Sequence, residues 1–422
     1  MHMKILIKNI KELVQVEETP RLKVSGKDMK TISCINNAWL AIEDDKIAGF
    51  GKMEDWEGIS DWTNLTIIDA TDKIVMPCYC DSHTHIVYAG SREGEFVDRI
   101  NGLTYEQIFE RGGGILNSAK KLEDATEEEL IESALKRLNE IMLQGTGAVE
   151  IKSGYGLNTE AELKMLRVIK KLSRNGGTPL TIKSTFLGAH AVPTEYKNDK
   201  RKYIDLLINE MMPKIAEEKL ADYCDVFCEQ NYFTKEETIE ILTAAKKHGM
   251  TPKVHAEQLS NFGGVLAGVE VGAISVDHLE FVGDKEIEAL KNCKTMPTIL
   301  PGAAFFLGLP FPPARRMIDA GLAVAVASDY NPGSSPSGNM NFMLSLCCVQ
   351  YKMTPEEAIN AATINSAYAM DLSKTHGSIA IGKQANVFIT KEIPSYAFIP
   401  YSFGSNLVET VIIGGKVVDR KQ

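Results

Sequence analysis

The amino-acid sequence predicts an α/β protein: a TIM-type (β/α)8 barrel carrying a small β-sandwich domain formed by both chain ends. Three observations predict it. From residue 74 onward, apolar runs alternate with stretches of helical period, the pattern of repeated strand and helix units around a parallel sheet. Before that span and near the carboxyl end, the chain reads instead as short β-branched strands with hairpin turns. Five of the eight histidines fall at the ends of the predicted barrel strands, where barrels of this kind carry their chemistry. The expected division is 1–75 plus 377–422 for the discontinuous small domain and 76–376 for the barrel.

In chain order, Lys4–Ile7, Ala38–Ile42 with a turn at Glu43–Lys46, and Leu65–Asp69 have strand composition. The first barrel strand is expected in Ile74–Cys80, and the others in Ala148–Lys152, Leu180–Phe186, Tyr223–Cys228, Pro252–His255, Ala273–Asp277, Thr295–Leu300 and Leu322–Ala327. Between them, Thr126–Glu129, Thr159–Glu162 and Thr234–Glu237 read as capping boxes, and Asp284–Glu288 as a further helix start. Thr354–Glu357 caps a helix expected to finish the barrel wall. The stretches from Gly377 and Leu407 are expected to return as strands, the second with a Gly414-Gly415 hairpin turn.

Composition narrows the function classes. The chain has 422 residues, 44% apolar and 24% charged, as an ordinary folded protein has. A net charge of -10, with no Lys/Arg stripe among aromatics, argues against a nucleic-acid partner. No run is long enough for a membrane span, and the amino-terminal apolar stretch meets charge too early for a secretory leader. The eight cysteines show no C-x-x-C spacing, and several lie in apolar runs, so they read as reduced core residues of a cytoplasmic protein.

The chemistry gathers at Asp81-Ser-His83-Thr-His85. Two histidines one residue apart on an extended backbone face the same side, a geometry that suits one metal ion. Further along, Lys152 and Tyr155 follow the second strand, His190 the third, His255 and His278 stand at the fifth and sixth, and Asp329 at the eighth.

This constellation resembles the amidohydrolase superfamily. Within it, Ala89–Glu93, Arg111–Ile115, Glu150–Leu157, Thr185–His190, Val276–Glu280 and Ser328–Ser335 are similar to a branch that opens an imidazolone ring. The resemblance covers nearly the whole chain. It implies one divalent metal ion, zinc or iron, held by His83, His85, His255 and Asp329. One ion is expected because the fourth strand, Val226–Gln230, lacks the bridging lysine of dinuclear relatives. The implied reaction is hydrolysis of the ring amide of 4-imidazolone-5-propanoate to N-formimidoyl-L-glutamate, a step of histidine degradation, by a homodimer.

The resemblance gives His278 and Asp329 the proton transfers, in an order that is left open. It gives Arg92, seven residues after His85, the substrate's carboxylate, which a planar guanidinium matches in two-point contact. It places Tyr155, His190, Gln258, Asn331, Gly333 and Ser334 around the substrate. Three of them have a plainer alternative: His278 a buried histidine bonded to a backbone carbonyl, Tyr155 an aromatic covering the barrel mouth, Ser334 a turn hydroxyl. Two departures from the branch, Asn386 for an aspartate and Cys78 and Cys80 for small apolar residues, lie off this site.

Two rivals remain. A deaminase of guanine or cytosine would carry a glutamate three residues after the fifth-strand histidine, where this chain has Gln258, and the adjacent Glu257 would face away if the strand continued. A binding protein on a dead scaffold would have lost ligands, whereas all four are present.

Overall fold

The computed structural model describes residues 3–59, 62–104, 107–108, 111–174 and 177–418. Met1, His2 and 419–422, which belong to the expected small domain, lie outside the described residues. Two sheets of eight strands divide the chain.

The first sheet draws on both chain ends: β1 (Lys4–Val14), β2 (Cys34–Glu43), β3 (Lys46–Lys52), β4 (Leu65–Asp69) and β5 (Lys73–Pro77) join β14 (Val387–Glu392), β15 (Val408–Ile413) and β16 (Lys416–Val417). A bulge between Ile7 and Ile10 divides β1, so that Lys4–Lys8 pairs with β4 and Glu12–Leu13 with β5. Alternate side chains Ile5, Ile7, Leu40, Ile42, Val387 and Ile389 close over a core of their own. β15 and β16 turn at Gly414-Gly415, both at positive φ, as a tight hairpin requires. The strand expected from Gly377 begins only at Val387; before it the chain makes two isolated bridges, Ile379 to Val16 and Gln384 to Lys46.

The second sheet is the barrel: β6 (Tyr79–Thr84), β7 (Thr146–Lys152), β8 (Thr181–Ala189), β9 (Tyr223–Cys228), β10 (Thr251–Ala256), β11 (Ser275–His278), β12 (Met296–Ile299) and β13 (Ala325–Val326), neighbours in order and all parallel. The chain after β13 closes it: Asp329 N–H donates to His83 C=O at 3.0 Å, and His85 N–H to Tyr330 C=O at 2.9 Å. These two bonds set the first histidines against the eighth-strand aspartate. Among the described residues, no helix is long and apolar enough to cross a membrane.

Three expectations are corrected. The run Ile74–Cys80 is two strands, because Pro77 lacks an N–H and Cys78 N–H donates to Asn386 C=O, leaving β5 in the small sheet while Tyr79 starts the barrel. The same Asn386 receives Gly414 N–H on its side-chain oxygen, so this departure from the family pattern ties the two ends together. Thr126, Thr234 and Thr354 do close capping boxes, but Thr159 does not. There Asn158 Oδ1 accepts Ala161 N–H, and the helix from Asp284 is capped at Gly283, whose N–H meets Glu286. Finally, the segment from Pro355 to Ala369 covers the amino-terminal end of the barrel rather than its wall. Asn365 Nδ2 donates to Val324 C=O at 2.9 Å, Lys253 Nζ reaches Ala369 C=O, and the next residue, Met370, receives Tyr223 Oη on its carbonyl.

Candidate active site

At the carboxyl ends of the barrel strands, several residues take backbone conformations that L-residues seldom adopt: Glu257 (φ 52°), His278 (φ 91°), Leu279 (φ 72°) and Asp329 (φ 55°). Strain of this kind persists where surrounding structure over-determines it, and it gathers at functional sites. Each turns a strand end sharply over the barrel mouth. For Glu257 the turn sends the carboxylate outward, where it accepts the N–H groups of Gly263 and Val265 at the start of the helix Gly264–Val271.

The histidines and Asp329 meet as two overlapping groups. His83, His85 and Asp329 bring ligand atoms within 4.8 Å of one another, and so do His83, His255 and His278. Asp329 Oδ1 lies 3.6 Å from His83 Nε2 and 3.4 Å from His85 Nε2, which is the shared side that the His-x-His spacing predicts. His278 therefore stands as close to the cluster as the four residues read as ligands.

Beneath the cluster is a layer of charge that sequence reasoning missed. Asp277 Oδ2 lies 2.7 Å from His83 Nδ1, and Asp225 Oδ2 lies 3.0 Å from His255 Nδ1. An ionised carboxylate only accepts, so Asp277 holds a proton on His83 Nδ1, and Asp225, close to His255 Nδ1 though without hydrogen-bond geometry, favours the same tautomer there; both leave Nε2 with its lone pair toward the cluster. The Nε2 atoms of both histidines are buried and meet no hydrogen-bond partner in the protein. Neutral, orphaned imidazole nitrogens beside a carboxylate are the donor set of a divalent metal site, and they fit one here. The signal for this layer was partly available in the sequence, because Asp225 sits inside an otherwise apolar strand and Asp277 directly precedes His278.

Deeper still, Lys152 is not at the barrel mouth. It points inward, fully buried, with Nζ 2.5 Å from Glu150, 2.8 Å from Asp225 and 3.9 Å from Asp277. Lys253 joins Glu150 from the other side and donates to Ser82 C=O. Three carboxylates and two ammonium groups thus share one dry interior, each partnered.

Electrostatics favour the neutral form of three of the imidazoles. Burial, with nearby Lys152, holds His83 well below the usual range; burial also brings His255 down to about 4, although Asp225 opposes it. Burial and the neighbouring His85 do the same for His190. His278 moves the other way: burial lowers it, but the carboxylates of Glu280 and Asp329 outweigh that and raise it. For Asp329, burial is overcome by His85 and His278, and the carboxyl lies below its ordinary value.

Above the cluster opens a cavity of ≈ 350 Å³. Of the residues singled out from sequence, His85, Arg92, Tyr155, His190, His255, Gln258, His278, Asp329, Asn331, Gly333 and Ser334 line it; His83 lies beneath. His190 stacks on His85 at 5.4 Å and is fixed by Gly154 C=O, 2.9 Å from its Nδ1. The loop that carries Tyr155 is held by Glu162, the residue expected in a capping box, which instead accepts Gly154, Gly156 and Leu157 N–H groups.

Asn331 and Ser334 first build their own turn. Asn331 Oδ1 accepts Gly333 and Ser334 N–H, both at 2.8 Å, and Ser334 Oγ donates to Asp329 Oδ2 at 3.1 Å. Ser334 is thus more than a turn hydroxyl, since it fixes the carboxylate that faces the histidines. Gly333 lets Arg92 come close: a Cβ there would stand 2.2 Å from Arg92 Nη1 and displace the guanidinium. Glu95 holds one edge of Arg92, accepting from its Nε and Nη2 at 2.9 and 2.6 Å, so a two-point contact with a carboxylate would use the Nη1 side. Arg99 also lines the cavity, with Nη2 3.3 Å from Gly333 C=O. Arg99, Phe227 and the leucines 103, 259, 307 and 309 of the cavity wall had no distinguishing sequence signal.

Comparison with known proteins agrees with this geometry. Residues 74–418 match the model of the amidohydrolase family. An imidazolonepropionase of Christiangramia forsetii is 61% identical over 416 residues, 99% of this chain and 100% of that protein. One of Flavobacterium johnsoniae is 59% identical over 413 residues, covering 98% and 99%. Among solved structures, the guanine deaminase of E. coli superposes with a TM-score of 0.74 over 100% of both chains at 13% identity, a likeness of fold alone.

Proposed function

The chain belongs to the amidohydrolase family and, within it, to the imidazolonepropionases, and from that membership we propose that it hydrolyses the ring amide of 4-imidazolone-5-propanoate to N-formimidoyl-L-glutamate. The observation that carries the choice over a deaminase is the pocket's single carboxylate. Among the described residues lining the cavity, Asp329 alone is acidic, Gln258 is a neutral amide, and Glu257 is committed to a helix end. An amide donates and accepts hydrogen bonds but cannot shuttle a proton to a leaving amine.

A divalent ion, zinc or iron, held by His83, His85, His255 and Asp329 supplies, when bound, the acidity that makes water a nucleophile at neutral pH. The protein does the rest. Arg92 receives the propanoate, Tyr155 and His190 flank the ring, and Gln258 orients it from the wall. Asp329 and His278 share the proton transfers, taking the proton of the water that adds to the ring carbonyl and supplying the ring nitrogen as the C–N bond breaks. Ser334 holds Asp329 in place. The same reading takes the barrel from Tyr79 to residue 376 as the catalytic domain and the chain ends, 1–77 and 377–422, as the small domain, in a cytoplasmic homodimer.

Exchange at Gln258 tests the substrate. Gln258→Glu is expected to hydrolyse imidazolone propanoate at a rate reduced by less than about tenfold, since the acceptor remains and only the amide donors are lost. It is expected to release no ammonia from guanine or cytosine; ammonia from either, absent with the parent protein, would return the site to the deaminases. Arg92→Lys tests the carboxylate contact. The charge stays but the fork is lost, so KM should rise about tenfold for the propanoate substrate and hardly change for an imidazolone without it. An equal loss on both would make Arg92 a structural partner of Glu95.

A further inference from the structure

We propose that Glu280 is the positioning residue of His278, holding the proton on Nδ1 and so turning Nε2 to the pocket. The inference rests on the role given to His278 above. Three observations converge on it. The side chain of Glu280 is fully buried, its Oε1 lies 3.6 Å from His278 Nδ1, and neither of its oxygens meets a hydrogen-bond donor. His278 Nδ1 is equally without a partner. A buried carboxylate that satisfies nothing is costly, and the imidazole is the group this one faces. A separation of 3.6 Å is longer than a hydrogen bond, and contacts of this kind tighten when the site is filled.

The backbone is shaped to bring the pair together. β11 ends at His278, and His278 and Leu279 both take positive φ, which folds Glu280 back beneath the ring. The turn is pinned to β10, with Leu279 N–H donating to Ala256 C=O at 3.0 Å and Phe281 N–H to Glu257 C=O at 2.9 Å. Two consecutive non-glycine residues in this region need such support.

The pattern around the pocket supports the same role. His83 is backed by Asp277 at 2.7 Å, His255 by Asp225 at 3.0 Å, and His190 by Gly154 C=O at 2.9 Å. For His83 and His190 an acceptor takes Nδ1 by hydrogen bond, and for His255 a carboxylate stands beside Nδ1 without hydrogen-bond geometry, as Glu280 does at His278. Asp277 is occupied by His83, so the carboxylate left for His278 is Glu280. A partner of this kind fixes tautomer and ring orientation, and its loss commonly costs 10–100-fold in activity.

The test reads the proton directly. In zinc-loaded protein labelled with 15N-histidine, the His278 resonance, identified by its absence in His278→Asn, should show a proton on Nδ1. In Glu280→Leu it should move to Nε2, with kcat down about 10–100-fold, KM within about twofold and zinc content unchanged. Glu280→Gln keeps an acceptor and should retain the Nδ1 proton with an intermediate kcat. A His278 protonated on Nε2 alone in the parent, or an unchanged tautomer and rate in Glu280→Leu, would overturn the assignment. If Glu280→Leu does not fold, the parent spectrum and the Gln variant decide, a full rate in the latter counting against it. A parent protein that fails to open imidazolone propanoate would refute the functional reading instead, while the tautomer would still judge Glu280.

Discussion

Replacing His255 by alanine is expected to lower imidazolone hydrolysis by more than about a thousandfold, the scale seen when a member of a catalytic unit is removed. His255 sits on β10 with an orphaned Nε2 facing His83, their rings 4.4 Å apart, and with Asp225 fixing its other nitrogen. Alanine would remove one imidazole from the donor set and leave Asp225 to Lys152 and the backbone N–H of residue 255, so bound metal should fall in step with the rate. The fold should survive, because residues at the carboxyl face of a barrel serve activity more than stability. Metal analysis of the purified variant beside its rate checks this. Normal metal content and rate would remove His255 from the ligand set.

The largest effect on stability is expected from Lys152→Met. Methionine matches the length of the side chain but removes the ammonium that lies between Glu150, Asp225 and Asp277. Lys253 would then face three buried carboxylates alone. Breaking a buried ion pair from one side leaves uncompensated charge and costs about 3–5 kcal/mol. Because Asp225 and Asp277 are also the groups that orient His255 and His83, metal affinity should weaken by 10–100-fold in the protein that does fold. Urea unfolding and chelator competition measure the two separately. A variant as stable as the parent would show that the interior network is not held by Lys152.

Much of this was legible in the sequence because the relevant signals are local. Strand composition gave Leu65–Asp69 and Tyr223–Cys228 to the residue, and capping boxes marked the helices after Thr126, Thr234 and Thr354. His83 and His85 declared themselves through the two-residue period of an extended chain. What failed depended on contacts between distant residues. Thr159–Glu162 has the spelling of a capping box, but Glu162 finds three loop N–H groups to accept, and Asn158 takes the cap.

The run Ile74–Cys80 is apolar throughout, and although Pro77 marks where it breaks, its pairing partners, β14 on one side and β7 on the other, are what send the halves to different sheets. Lys152 reads as a residue at the mouth because it ends a strand, whereas its side chain is drawn inward by Asp225 and Glu150. Glu280 stood in plain view within Val276–Glu280. Its relation to His278 depends on two positive φ angles that composition does not reveal.

Product analysis with the metal-loaded protein and 4-imidazolone-5-propanoate tests the central claim most directly. The predicted result is disappearance of the ring compound with stoichiometric N-formimidoyl-L-glutamate and no free ammonia, abolished in His255→Ala. Full metal occupancy with no ring opening, or ammonia released in place of the open-chain product, would contradict it.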